Sequence, residues 1–250
     1  MPRLFVPAEQ INGQQVEITD EDAHYLVNVL RLGVGDSFEV VAPTAAEYTV
    51  VIEHTEAERV TGQIRKQRTR PTEPDLHLTL YQAVLKGNNF SLIVEKAVEL
   101  GVSVIVPLLT RRTVVKLNKD RASQKQQCWQ KIARQYTQQS ERMELPTVKP
   151  AVSLSEALTA WQQSKTPGLV FSARTSRDKA HRLRQALARL GKTAELSLFI
   201  GPEGGFTAPE VESAANAGLD EVSLGARILR SETAAIVACT ICMYELCELN

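Results

Sequence analysis

Two glycine-bearing segments hold the residues best suited to bind a small molecule. The first reads Leu198-Phe199-Ile200-Gly201-Pro202-Glu203-Gly204-Gly205-Phe206-Thr207. An apolar run enters a glycine-rich turn, and Thr207-Ala208-Pro209-Glu210 then has the spacing of a capped helix start with proline in its first turn. In open α/β sheets, turns at the carboxyl ends of strands are where ligands bind. Glycine lets backbone approach a ligand where a Cβ would collide, and Gly204 is the position where an added side chain is expected to fill that space. The pattern is neither the dinucleotide G-x-G-x-x-G nor a phosphate-binding loop, since no Lys-Ser/Thr follows. Glu203 would repel a phosphate and suits a cationic ligand better. Taken alone, a tight strand–helix turn without a ligand fits this segment equally well.

The second segment, Ser223-Leu224-Gly225-Ala226-Arg227-Ile228-Leu229-Arg230-Ser231-Glu232-Thr233, repeats the arrangement of short strand, glycine and helix start. Arg227 and Arg230 flank an apolar pair, Ile228-Leu229, that suits the faces of a flat ring. Beside a second ligand-shaped turn, these arginines read as functional rather than as surface charge or helix caps.

The elements that position both segments alternate between strand and helix. Leu76–Val84 is expected as a strand and Asn89–Leu100 as a helix with Phe90, Ile93, Val94, Ala97 and Val98 on one face, stopped by Gly101. Val102–Leu109 reads as a strand buried on both faces, followed by a long basic helix over about Asp120–Gln139. Gly168–Ser172 and Ala194–Ile200 are strands with a helix between them. A helix from Thr207 ends near Gly218, Glu221–Leu224 is a last strand, and Ser231–Cys247 a last helix. This alternation argues for a mostly parallel sheet covered by helices. The first 70 residues differ. Short alternating runs at 15–18, 37–41 and 48–52, separated by turn signals, predict a small β-barrel interrupted by one helix over about Asp20–Leu30. The polar, twice proline-broken stretch Arg68–Pro74 separates residues 1–72 from residues 73–250.

Composition narrows the class. With 43% hydrophobic and 23% charged residues, the chain is not wholly disordered, collagen-like or a disulfide framework. No apolar stretch reaches the roughly 18–20 residues of a membrane helix, and the start, Met1 to Val6, is too short and too soon charged for a secretory signal. Four cysteines, Cys128, Cys239, Cys242 and Cys247, read as reduced thiols in a cytoplasmic protein. Cys239 and Cys242 form a C-x-x-C, but within a helix and without a second pair, so no metal site is expected. His24, His54, His77 and His181 show no ligand spacing. The net charge is zero, yet its distribution is uneven. Residues 1–74 carry 7 Lys/Arg against 12 Asp/Glu, whereas residues 111–149 carry 10 against 3. Such a local excess attracts an anionic partner or is a solvated helix face.

Together the two glycine segments resemble the SPOUT class of RNA methyltransferases, and more narrowly the bacterial family that methylates N-3 of a uridine in small-subunit (16S) ribosomal RNA. The likeness extends to Arg3-Leu4-Phe5-Val6, to His24 through Leu32, to Glu95 through Val102, to Pro107 through Arg112, and to Trp129-Gln130-Lys131-Ile132-Ala133. The resemblance implies an N-terminal PUA-like β-barrel that binds RNA and a C-terminal α/β SPOUT domain with a deep trefoil knot. It implies S-adenosylmethionine held by Phe171 and Ser172, by Ile200, Gly201, Pro202, Glu203 and Gly204, and by Leu224, Gly225, Ile228 and Leu229. It also implies a homodimer acting on ribosomal RNA or the small subunit, without a metal.

Arg230 is the candidate to stabilise charge on the target base, by the logic of an oxyanion hole. Glu232 is a candidate base and equally a complement to the helix dipole. Arg3, Arg31, Lys86, Arg111, Arg112, Lys116 and Arg142 are candidates for the RNA channel. One stretch departs from the family pattern. Where members carry Glu-Gln and then a small residue, glycine and arginine, this chain has Gln138-Gln139-Ser140-Glu141-Arg142, so a carboxylate becomes an amide and the glycine becomes Glu141. A non-catalytic RNA- or ribosome-binding factor on the same fold remains an alternative, as does a relative acting on transfer RNA or a ribose hydroxyl.

Overall fold

The computed structural model describes residues 1–42, 46–56, 58–69, 72–115, 118–172, 181–246 and 249. These divide into two compact units, one of residues 1–73 with 137–145, the other of residues 74–136 with 146–250. Residues 137–145, which the sequence reading gives to the C-terminal domain, thus belong to the first unit.

In the first unit, β1 (Arg3–Phe5), β2 (Ile11–Asn12), β3 (Gln15–Thr19), β4 (Ser37–Val41), β5 (Glu47–Glu56) and β6 (Arg59–Arg68) form one sheet in the order β1-β4-β5-β6-β3-β2. All neighbours are antiparallel except β1 with β4. Two register shifts in the β5–β6 ladder, after Thr49 and after Ile52, are the bulges by which a strand bends and twists. The inward face buries Leu4, Val16, Ile18, Phe38, Val40, Val50, Ile52 and Val60. The helix expected over Asp20–Leu30 begins as α1 (Asp20–His24) and continues as a π-helical turn, Tyr25–Val29. That widening exposes Tyr25 and Val29 while Ala23 and Leu26 stay in the core.

The second unit holds an all-parallel sheet. Its strands are β7 (His77–Ala83), β8 (Val104–Leu109), β9 (Thr147–Val148), β10 (Val152–Ser153), β11 (Gly168–Phe171), β12 (His181–Arg182), β13 (Glu195–Ile200) and β14 (Asp220–Ser223). Their order is β10-β8-β7-β13-β11-β14-β12, with β9 also on β8. Every pairing is parallel. The helices are α2 (Asn89–Glu99), α3 (Lys119–Gln139), α4 (Leu154–Ser164), α5 (Leu183–Leu190), α6 (Ala208–Ala217) and α7 (Ser231–Glu245). They cover both faces and enclose two apolar clusters. One is built on Leu78, Leu80, Phe90, Ile105, Leu198 and α7, the other on Val106, Trp161, Val170 and Phe199. This double burial accounts for the continuous apolar runs in β8, β11 and β13.

Cys239 and Cys242 sit inside the first cluster on α7. Burial pushes the Cys239 thiol up to about 12 and raises that of Cys242 as well, so neither forms the thiolate that ligates metal or attacks disulfides. Cys247 lies outside the described residues. Among the described residues no helix is long and apolar enough to cross a membrane, and no cluster of His, Cys, Asp and Glu is arranged to hold a metal ion.

Candidate active site

Three strands bring the two glycine segments together. β11 lies between β13 and β14, and Phe171 at its end is in register with Ile200 on one side and Val222 on the other. The chain after each of these strands therefore emerges at the same edge of the sheet. Ser172, Gly201–Phe206, Ser223–Gly225, Arg227–Leu229 and Ser231 line one cleft there, with Ala234 of α7 beside them, whereas Arg230 is not among its lining residues. All the residues assigned from the sequence to cofactor binding border it: Phe171, Ser172, Ile200, Gly201, Pro202, Glu203, Gly204, Leu224, Gly225, Ile228 and Leu229. Gly205, Phe206, Ser223, Arg227, Ser231 and Ala234 line it too, beyond the residues expected from the sequence to hold the cofactor.

The glycine turn is held from three directions. Inside it, Gly205 N donates to Pro202 O at 2.8 Å, with Gly205 at φ +68°. From the loop after β8, the Arg112 guanidinium donates to the carbonyls of Gly204 at 2.7 Å and Phe206 at 3.4 Å. From the loop after β7, Lys86 N donates to the Glu203 carboxylate at 3.1 Å. The capping box opening α6 is present. Glu210 accepts from Thr207 N at 2.7 Å and its hydroxyl at 2.9 Å, while its other oxygen accepts from Arg111 N at 2.7 Å.

The glycine that leaves no room for a side chain is not the expected one. A Cβ on Gly204 would meet only the flexible Arg112 side chain, at 3.1 Å. A Cβ on Gly201 would lie 2.9 Å from Phe206 N and 3.1 Å from Gly205 C, both backbone. Gly201 closes the turn on itself, and Gly204 faces the arginine that braces it.

On the opposite arm, Gly225 adopts φ +115°, a conformation that L side chains rarely take. Arg227 and Ile228 stand out from the rim, Ile228 being 78% exposed. Arg230 is the N-cap residue of α7, and its side chain is 86% exposed. Its guanidinium lies 4.0 Å from the carboxylate of Glu232, which is largely buried in the first turn of α7.

The candidate RNA contacts separate into two groups. Arg31 is exposed, with a left-handed backbone at φ +57°. Lys86 and Arg111 are exposed and Arg112 half-buried at the glycine turn, and Lys116 lies outside the described residues. Arg3 and Arg142 are elsewhere, and their expected role needs correction. Arg3 is 7% exposed. Its Nε pairs with Glu47 at 2.9 Å and its NH1 donates to the carbonyls of Arg142 and Thr137. Arg142 is 4% exposed and grips Glu73 through Nε at 3.0 Å and NH2 at 2.6 Å, while the other Glu73 oxygen accepts from Met143 N at 2.7 Å. Both guanidiniums are committed to buried partners in the first unit, where no phosphate reaches them without breaking those pairs. They tie residues 137–145 to the unit's sheet. Glu47 also accepts from Arg68, which pairs with Glu39 in turn. Burial alone would raise the Glu47 carboxyl, but hydrogen bonds from Arg3 and Arg68 outweigh it and hold the group below its ordinary value. The departure at Glu141 has a backbone meaning: this residue sits at φ +58°, where glycine is the residue without strain.

Comparison with known proteins agrees with this geometry. Residues 72–243 match the RNA methyltransferase domain family and residues 18–65 match the RNA methyltransferase PUA domain. The chain is 33% identical to ribosomal RNA small subunit methyltransferase E of Synechocystis sp., over 94% of this chain and 75% of that one. It is 28% identical to the Bacillus subtilis protein of the same name, over 98% and 97%. The crystal structure of the Neisseria gonorrhoeae protein of that name, bound to S-adenosylmethionine, superposes with a TM-score of 0.83 at 30% identity, covering 98% of this chain and 97% of that one. With the RNA methyltransferase domain matched over 172 of the 250 residues and a PUA domain ahead of it, the chain belongs to the RNA methyltransferase family.

Proposed function

We infer that this protein transfers a methyl group from S-adenosylmethionine to 16S ribosomal RNA, and that the acceptor is N-3 of a uridine. The observation that carries the inference is the convergence of the Gly201–Phe206 and Leu224–Ser231 turns on one cleft beside the end of β11. The cleft fits the cofactor chemically. Phe171, Leu224 and Leu229 offer apolar surface to an adenine ring, and Glu203, the one acidic side chain on its wall among the described residues, suits a cation. When bound, S-adenosylmethionine supplies an electrophilic methyl carried on a sulfonium.

The chain's own residues do the rest. Uridine N-3 is a weak nucleophile until it loses its proton, and the resulting negative charge is shared with the flanking carbonyl oxygens. To Arg230, which adjoins the cleft-lining Leu229 and Ser231 and is 86% exposed, we assign the stabilisation of that charge, its guanidinium turning from solvent to donate to the carbonyl oxygens. Glu232, in the first turn of α7 and 4.0 Å from Arg230, is the group we assign to accept the N-3 proton, directly or through water, and it also complements the helix dipole. Holding N-3 in line with the methyl supplies, on the order of 7 kcal/mol or more, the orientation part of the barrier.

The finer expectations belong to the same proposal. Trefoil threading around β11, β13 and β14 is proposed from the family resemblance. A homodimer through α7 is supported by Tyr244, a large apolar side chain left 66% exposed on this helix. The substrate places the protein in the cytoplasm. Labelled methyl transfer to small-subunit RNA, compared with Arg230→Ala, tests the reading. A fall of about 10²–10³-fold at unchanged RNA affinity is expected, and wild-type turnover in the variant would remove Arg230 from the mechanism.

A further inference from the structure

Behind the cleft, a buried polar chain links its two arms through a residue that does not line it. Gln82, fully buried near the end of β7 and in register with Ile200 of β13, donates through Nε2 to Ala83 O at 2.9 Å and to Ser231 Oγ at 3.1 Å. Ser231 donates its hydroxyl to Gly201 O at 2.5 Å. The direction is fixed. A carbonyl only accepts, so Ala83 O requires the amide nitrogen on its side, and Ser231, accepting from that nitrogen, spends its own proton on Gly201. The serine is therefore neither a free nucleophile nor a donor to a ligand.

We propose that Gln82 is a positioning residue for the cofactor cleft, setting through Ser231 the separation between the Gly201–Phe206 turn and the Leu224–Ser231 arm. Ser231 opens α7 and Gly201 opens the glycine turn, and both line the cleft. Gly201 lies where its own turn doubles back, since a Cβ added there would come within 2.9 Å of Phe206 N and 3.1 Å of Gly205 C. The hydrogen-bond chain is therefore the joint between the arms. Stability does not explain a glutamine at this place. Among the described residues its buried Oε1 has no hydrogen-bond partner, an unfavourable arrangement that an apolar side chain of equal size avoids. The bond to Ser231 is what an apolar side chain could not replace.

The proposal rests on reading the cleft as the S-adenosylmethionine site, and the test separates the two. Calorimetry with S-adenosylmethionine on the full chain compares wild type, Gln82→Leu, Ser231→Ala and the double variant, with Ser231→Thr as the conservative rescue. Each single variant is expected to weaken binding about tenfold, and the double variant little more than either, because the chain acts as one unit. The KM for RNA is unchanged, and Ser231→Thr recovers most of the affinity lost in Ser231→Ala. In ligand-free protein, amide exchange at Gly205 quickens by about tenfold in both single variants, since the turn is released. Wild type that binds no S-adenosylmethionine would overturn the reading of the cleft, and the exchange result would still decide the role of Gln82. Variants with lower melting temperature but wild-type affinity and wild-type exchange at Gly205 would show that Gln82 is merely structural.

Discussion

Gly201→Ala is the sharpest perturbation of the cleft, because the added methyl meets backbone alone. It would lie 2.9 Å from Phe206 N, 3.1 Å from Gly205 C and 3.2 Å from Gly205 Cα, so the turn has to open by several tenths of an ångström. Overpacking of this kind costs about 1–3 kcal/mol. If the cost falls on the binding-competent turn, S-adenosylmethionine binds roughly 5- to 150-fold more weakly, at 1.4 kcal/mol per tenfold. Gly204→Ala is the matched comparison. Its methyl meets Arg112 Cδ at 3.1 Å, and a flexible side chain moves aside, so a loss of about threefold or less is expected. Calorimetry on both variants, with melting curves to confirm folding, reads the difference. Equal losses, or wild-type affinity in Gly201→Ala, would refute the assignment of Gly201 as the closing point of the turn.

Acidification should act on the first unit through Glu47. Its folded pKa lies below the ordinary 4.5, so its contribution is fully present above that value and is lost as pH falls through the folded pKa. Melting curves should fall below about pH 5; Glu47→Gln should reduce this dependence, leaving the part carried by other carboxyls such as Glu95 and Glu156, while costing about 3–5 kcal/mol, since it strands a buried arginine. Glu141→Gly should stabilise the protein by about 1 kcal/mol by relieving a left-handed backbone, measured by denaturant melts; a loss of stability would show that Glu141's side-chain contacts outweigh the strain. Arg111→Ala should weaken RNA binding and flatten its salt dependence while leaving cofactor affinity alone. Arg112→Ala should weaken cofactor binding as well, and identical behaviour of the two variants would contradict the bracing role of Arg112.

The sequence displays the cleft because its signals are local. A strand, a glycine-bearing turn and a helix start follow one another within about a dozen residues, twice over, the first helix with a capping box. What stayed hidden depends on partners far apart in the chain. Arg3 looks like a free basic residue until Glu47 and the carbonyl of Arg142 are placed around it, and no local spacing records a contact 139 residues away. Gln82 sits in an apolar strand and has no pattern of its own. The space beside Gly201 and Gly204 likewise depends on which neighbour faces each one, which a run of glycines does not state. One omission was legible. Ser153-Leu154-Ser155-Glu156 has the capping-box spacing, and α4 begins there with both reciprocal bonds formed.

The central claim is tested most directly by the nucleoside that the protein produces. Small ribosomal subunits from cells lacking this activity are incubated with the protein and methyl-labelled S-adenosylmethionine, and the RNA is digested to nucleosides for mass spectrometry. The account predicts label in 3-methyluridine from 16S RNA, dependent on wild-type Arg230. Label in a ribose 2′-O-methyl group or in transfer RNA, or no transfer at all, would contradict it.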